Sequence, residues 1–216
     1  MKRFILFVIS CMVFAHASAQ LSYIFEGGYA LSANYSPSPA LRHAEHGVQA
    51  DFSVDYRFKS QPLLGLKMGL GYKFQTYMSK RNHLFLPTII LDEDAQTNEY
   101  ILDHSVILPV RMTFNFDIND WVIKVLTGPK FCYHFTNAQY DYTTPSQHYL
   151  GKSKLDNIYY PFDCLWGIGV GAVYKHVYLE LMIDLGLYNR TRRNSATYDD
   201  NTFSSREFGI TCGYTF

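Results

Sequence analysis

Charge is scarce in this sequence. Charged residues make up 18% of its 216 residues, below the usual quarter, with nineteen bases against nineteen acids. A near-neutral chain offers no electrostatic case for nucleic acid, and none is expected as a partner. Long hydrophobic runs are missing too. Past residue 19 no stretch approaches the roughly 20 apolar residues of a membrane helix, so a membrane would have to be crossed by strands. Cysteine falls to three beyond residue 19, Cys132, Cys164 and Cys212. In an exported protein that odd number leaves at least one thiol unpaired. No glycine-rich loop leads from a strand into a helix, so nucleotide binding has no support. No linker, internal repeat or low-complexity tract divides the chain, and its length suits one domain.

An export signal comes first. Lys2 and Arg3 precede an apolar stretch from Phe4 to Phe14, and Ala17-Ser18-Ala19 offers small residues for cleavage before Gln20. The apolar stretch is too short for a bilayer anchor. Val8-Ile9-Ser10-Cys11 loosely resembles a lipoprotein box, but it would leave an apolar region at the bottom of the usual range. Residues 1–19 are therefore read as a signal peptide and 20–216 as the mature domain. Cleavage leaves seventeen bases against nineteen acids, a formal charge of −2.

Aromatic residues, by contrast, are abundant, with 18 Tyr and 16 Phe. They favour strands, and Tyr also suits membrane interfaces. Eight segments alternate apolar with polar residues: 21–32, 47–58, 63–77, 100–116, 121–135, 161–174, 177–189 and 205–216. Long connections (33–46, 78–99, 136–160, 190–204) alternate with short ones (59–62, 117–120, 175–176). Long loops on one rim and tight turns on the other are how bacterial outer-membrane barrels are arranged, with the turns in the periplasm. The expected fold is all-β: an eight-stranded antiparallel up-and-down transmembrane β-barrel. Its even strand count closes the sheet without an edge.

Parity sorts the two faces. One carries Phe25, Val48, Phe52, Leu66, Leu70, Val106, Leu108, Trp121, Trp166, Ile168, Leu181 and Ile183. It ends on Phe208, Ile210, Cys212, Tyr214 and Phe216. The other carries Glu26, Asp51, Asp55, Asp103, Asp163, Glu180, Asp184 and Glu207 with Arg57, Lys67, Lys73, Arg111, Lys124 and Lys130. Arg206 is the one charge on the apolar face, at the loop end of its strand. A soluble lipocalin-like barrel would turn the apolar face inward. Glycine opposes that. Gly27 lies on the apolar face, whereas Gly28, Gly65, Gly69, Gly71, Gly128, Gly167, Gly169, Gly171, Gly186, Gly209 and Gly213 lie on the charged one. The interior of an eight-stranded barrel is just wide enough for side chains, so the glycine-rich face belongs inside.

Ser105-Val106-Ile107-Leu108-Pro109-Val110, Gly128-Pro129, Gly167-Ile168-Gly169-Val170-Gly171, Leu185-Gly186-Leu187 and Gly213-Tyr214-Thr215-Phe216 follow one another in order. In these the chain resembles the PorT-like outer-membrane β-barrel family of Bacteroidota, over essentially all of residues 21–216. The resemblance implies an eight-stranded barrel delivered by the barrel-assembly machinery, with the strand ending at Phe216 as the assembly signal. It does not imply one function; a few such proteins serve type IX secretion.

Mixed charges in so narrow a lumen point to internal ion pairs, because charges in a low dielectric must be paired or solvated. The expected role is structural or surface-interacting; the alternative is a transport or secretion component, a narrow porin-like channel or a type IX secretion accessory. No enzyme is expected, and no catalytic, cofactor or metal residues are assigned. His104 and Ser105 are strand neighbours and point to opposite faces, which rules out a direct nucleophile–base couple. His134 reads as a satisfied interior histidine. His43, Glu45 and His46 lack the further ligands of a metal site. Parity turns Cys132 inward and Cys164 and Cys212 outward on strands that are not neighbours, so no internal disulfide is expected. The expected partners are outer-membrane lipid, the assembly machinery, and surface or secretion partners reached through the long loops. Of these loops, 136–160 is rich in Tyr, Thr, Gln and Asn, and Tyr gives large contact area at low entropy cost.

Overall fold

The computed structural model describes residues 20–35, 44–81, 97–141, 148–152, 160–188 and 204–216. Its strands are β1 Gln20–Tyr35, β2 Ala44–Arg57, β3 Leu64–Arg81, β4 Thr97–Ile118, β5 Trp121–Asp141, β6 His148–Lys152, β7 Phe162–Tyr174, β8 Val177–Gly186 and β9 Ser204–Thr215. Neighbours pair antiparallel in the order β1-β2-β3-β4-β5-β7-β8-β9. Pairing of β9 with β1 closes the ring, from Ile24↔Thr215 to Tyr35↔Ser204. Eight strands therefore make a closed barrel. The ring is fastened at its last residue, where the Phe216 amide donates to the Tyr23 carbonyl at 2.8 Å. The signal segment 1–19 lies outside the described residues, as do His43 and the whole of 190–203.

The faces follow the alternation. Val48, Leu70, Ile168, Ile183 and Phe216 are among the large apolar side chains exposed on the outer wall, Ile168 at 61%. Charged and small residues turn inward. Aromatic clusters ring both ends of the wall, as at the interfaces of a bilayer. On the turn side Trp121 packs on Tyr174 (4.7 Å between centroids) and Tyr214 on both His176 (5.3 Å) and Phe216 (4.9 Å). On the loop side His104 sits among Phe74, Tyr72 and Phe135. Cys132 is buried in the lumen, while Cys164 and Cys212 face outward; all three are free thiols.

Two-residue turns, Asn119-Asp120 and Lys175-His176, join β4 to β5 and β7 to β8, with Asn119 and Lys175 left-handed at φ 53° and 54°. The β2–β3 turn is held by the Phe58 amide donating to the Leu64 carbonyl (3.0 Å) and the Leu64 amide to the Gln61 carbonyl (2.8 Å).

The long connections are corrected in extent. Segments expected as loop continue as strand: β3 runs on to Arg81, β4 starts at Thr97, and β5 reaches Asp141. A ninth strand, β6, pairs with the end of β5 inside the expected loop 136–160. β4 has 22 residues and β5 has 21, about ten more than a bilayer requires. Lipid on one side and lumen on the other impose the apolar–polar alternation. Beyond the bilayer that contrast ends while backbone pairing continues, so the pattern vanishes before the strand does.

Candidate functional site

The lumen is where the chain concentrates its polar chemistry. At the turn-side mouth Lys124 pairs with Asp55. Arg57 faces inward at the same mouth, as expected, and lines its cavity with Asp55 and Lys124. It sits at the rim, bonded to Asp117 at 2.5 Å and to the Pro62 carbonyl. It is the last residue of its strand, so its partners come from the turns rather than from the lumen tiers. A cavity of about 110 Å³ opens here, lined by Ser22, Asp55, Asn115 and Lys124 among others.

A lower tier of charges follows toward mid-barrel. Lys67 Nζ lies 2.6 Å from Glu26 Oε1 and 2.7 Å from Glu180 Oε2, and donates to the Tyr178 hydroxyl at 3.2 Å. Glu26 also accepts from Ser53 (3.0 Å) and Thr211 (2.9 Å). Asp51 stands directly across from Glu26 in the β1–β2 register and is 6% exposed.

An upper tier lies on its loop side. Lys130 bridges Asp184 (2.6 Å) and Glu207 (2.5 Å), Lys73 pairs with Glu207 at 2.7 Å, and Arg111 pairs with Asp184. Higher still, Ser205 donates to Asp163 at 2.7 Å and His134 Nδ1 contacts Asp103 Oδ2 at 2.5 Å. Between the two tiers a cavity of only about 30 Å³ remains, bordered by Glu26, Asp51 and Lys67 below and Arg111, Lys130 and Glu207 above. That is room for a few water molecules at most.

Glycine makes this filling possible. A Cβ at Gly167 would strike Asp184 and come within 2.9 Å of Arg111 Nη1, and one at Gly71 would strike the Asp51 side chain. Gly167 thus leaves the space that Asp184 and Arg111 fill in the upper tier, and Gly171 lies against the Tyr178 hydroxyl of the lower one. Arg111 also mends the wall. The β4–β5 ladder breaks between Pro109↔Lys130 and Met112↔Thr127, where Gly128 takes φ 148°, and Arg111 Nη1 donates to the Gly128 carbonyl. The stretches around Pro109 and Pro129 therefore meet on adjacent strands.

The charges expected inside, Arg57 apart, are buried there, with Glu180 close to it. His134 is an interior residue, as expected. Ser105 is buried, its hydroxyl donating to the Lys73 carbonyl, while His104 meets the Tyr72 hydroxyl on the outer wall, so the two do not act together. His46 meets Tyr29 on the outside. Among the described residues no group of three His, Cys, Asp or Glu is arranged to hold a metal ion. Reading charges alone overlooked the uncharged partners Ser53, Tyr178 and Thr211, which the same alternation turns inward. It also overlooked an apolar cluster of Ile107, Cys132 and Leu165 in the lumen.

No family model matches the chain, and no curated protein does. Several solved structures are similar. The attachment invasion locus protein Ail of Yersinia pestis shares 12% identity at a TM-score of 0.45, over 90% of this chain and 98% of that one. Neisserial surface protein A shares 13% at 0.41, over 90% and 97%. The outer membrane protein OprG of Pseudomonas aeruginosa shares 10% at 0.42, over 92% and 97%. Likenesses this distant carry no argument about this chain; its architecture rests on its own strand pairing.

Proposed function

We propose that this protein is an integral outer-membrane barrel with a structural or surface-interacting role, its lumen sealed rather than open. The observation that carries the reading is the filled lumen, in which Lys67, Lys73, Arg111, Lys124 and Lys130 are each bonded to acids on other strands. Outer-membrane residence is supported by the apolar wall, the aromatic clusters at both rims and the exposed terminal Phe216. Export with cleavage after Ala19 belongs to the same proposal, and the mature amino terminus should read from Gln20. Membership of the PorT-like family rests on the motif resemblance.

The test is conductance. Purified, heat-modifiable protein in a planar bilayer should give no unit current steps. Regular steps from the unaltered protein would overturn the sealed reading in favour of a channel. Crosslinking in intact cells separates the remaining roles: recovery of secretion components would favour a secretion accessory.

A further inference from the structure

The two tiers of the lumen are unequal in sign. The lower one sets two carboxylates, Glu26 and Glu180, with the carboxyl of Asp51 beside Glu26, against the single base Lys67. The upper one sets three bases, Lys73, Arg111 and Lys130, against two acids, Asp184 and Glu207. The small cavity between them touches both. Glu26 and Glu180 lie four residues nearer the turn rim than their upper-tier neighbours, Glu180 against Asp184 along β8 and the Glu26 partner Thr211 against Glu207 along β9. The tiers are thus stacked along the barrel axis.

Charge excess of one sign in a narrow pore admits ions of the other sign and repels its own. A cation entering from the periplasmic rim would be drawn to the acid-rich tier and then meet the base-rich one. An anion entering from the loop side would be drawn to the base-rich tier and then meet the acids. The other charges along the path do not cancel this order. Lys124 with Asp55 and Arg57 with Asp117 are matched one to one below, and Asp163, Asp103 and His134 lie above the base-rich tier. We propose that the lumen is closed to small ions by charge as well as by volume, through an acid-rich tier stacked directly beneath a base-rich tier. This rests on the sealed-lumen reading and adds to it which groups do the sealing.

Any leak should carry ions opposite in sign to the charge left in excess. Lys73→Ala with Lys130→Ala leaves Arg111 alone beside Asp184 and Glu207, so both tiers become acid-rich. Glu26→Ala with Glu180→Ala leaves Lys67 with Asp51, and the base-rich tier then dominates. Each double variant, inserted in planar bilayers as heat-modifiable protein, is measured under a KCl gradient. The single variants Lys130→Ala and Glu180→Ala are carried in parallel and stand in for any double variant that does not refold. The expected result is current in both sets with zero-current potentials of opposite sign, potassium-selective for the lysine set and chloride-selective for the glutamate set. Potentials of the same sign, or silence in both sets beside a silent parent, would overturn the charge seal and leave closure by volume. Conductance in the parent protein would instead overturn the sealed lumen itself.

Discussion

Gly28 and Gly209 face the lumen on the same seam, the β1–β9 contact that closes the ring, yet their surroundings differ sharply. A Cβ at Gly28 would collide with the Ile210 carbonyl oxygen and lie 2.6 Å from Thr211 Cγ2 and 2.8 Å from Thr211 Cα. Two of those three atoms are backbone and cannot rotate away, so β9 itself must move from β1. A Cβ at Gly209 meets nothing nearer than the Tyr29 carbonyl oxygen at 4.0 Å. Overpacking costs about 1–3 kcal/mol where side chains can adjust, and a backbone collision at the closing seam places Gly28→Ala at the upper end, about 3 kcal/mol. Gly209→Ala should be neutral or stabilising by up to ~1 kcal/mol, since alanine narrows the unfolded ensemble. The assay is urea unfolding of the barrel in lipid vesicles, followed by the fluorescence of Trp121 and Trp166. The expected pattern is a lowered midpoint for Gly28→Ala with an unchanged slope, the mark of a change in stability alone. Equal midpoints for the two variants would refute the close approach of β1 and β9 and the registry drawn from it.

Charge on the lipid wall should be poorly tolerated: Ile168→Arg or Leu181→Arg should cost about 2–4 kcal/mol near mid-bilayer. Gln61→Arg in a turn should stay within ~0.5 kcal/mol in the same unfolding assay. Lys67→Met strands Glu26 and Glu180 without their base and should cost about 3–5 kcal/mol. Adding Glu180→Gln should return part of that loss, and an unchanged deficit would argue against the pair. Deleting Phe216 removes the bond from its amide to Tyr23 and the terminal aromatic. At matched expression the variant should leave far less heat-modifiable protein in outer-membrane fractions than Tyr160→Ser does. Equal amounts would reduce Phe216 to one more residue of the aromatic girdle.

Much of the lumen was legible in the linear chain because a strand that separates lipid from a packed interior repeats with period two. Lys67, Lys130, Asp184 and Glu207 could be turned inward by counting, and the glycines decided which face was concave. Arg57 shows where counting stops. Parity directs its side chain inward, but whether it finds a lumen acid or a rim acid depends on its height along the barrel, and that is set by the stagger between strands. The strand extensions beyond Tyr77 and before Tyr100 were illegible for a related reason: past the bilayer no contrast of lipid with lumen imposes the alternation.

By itself the sequence determined the number of wall-forming strands, the face each side chain takes and the mixed charge of the interior, because each follows from spacing along a single strand. Only the tertiary structure decided which acid meets which base. Glu26, Lys67 and Glu180 come from β1, β3 and β8, and Lys130 joins β5 to both β8 and β9. Those meetings depend on the relative heights of strands distant in the chain, fixed when β9 closes onto β1. The sorting of the charges into an acid-rich tier and a base-rich tier is a property of that closure.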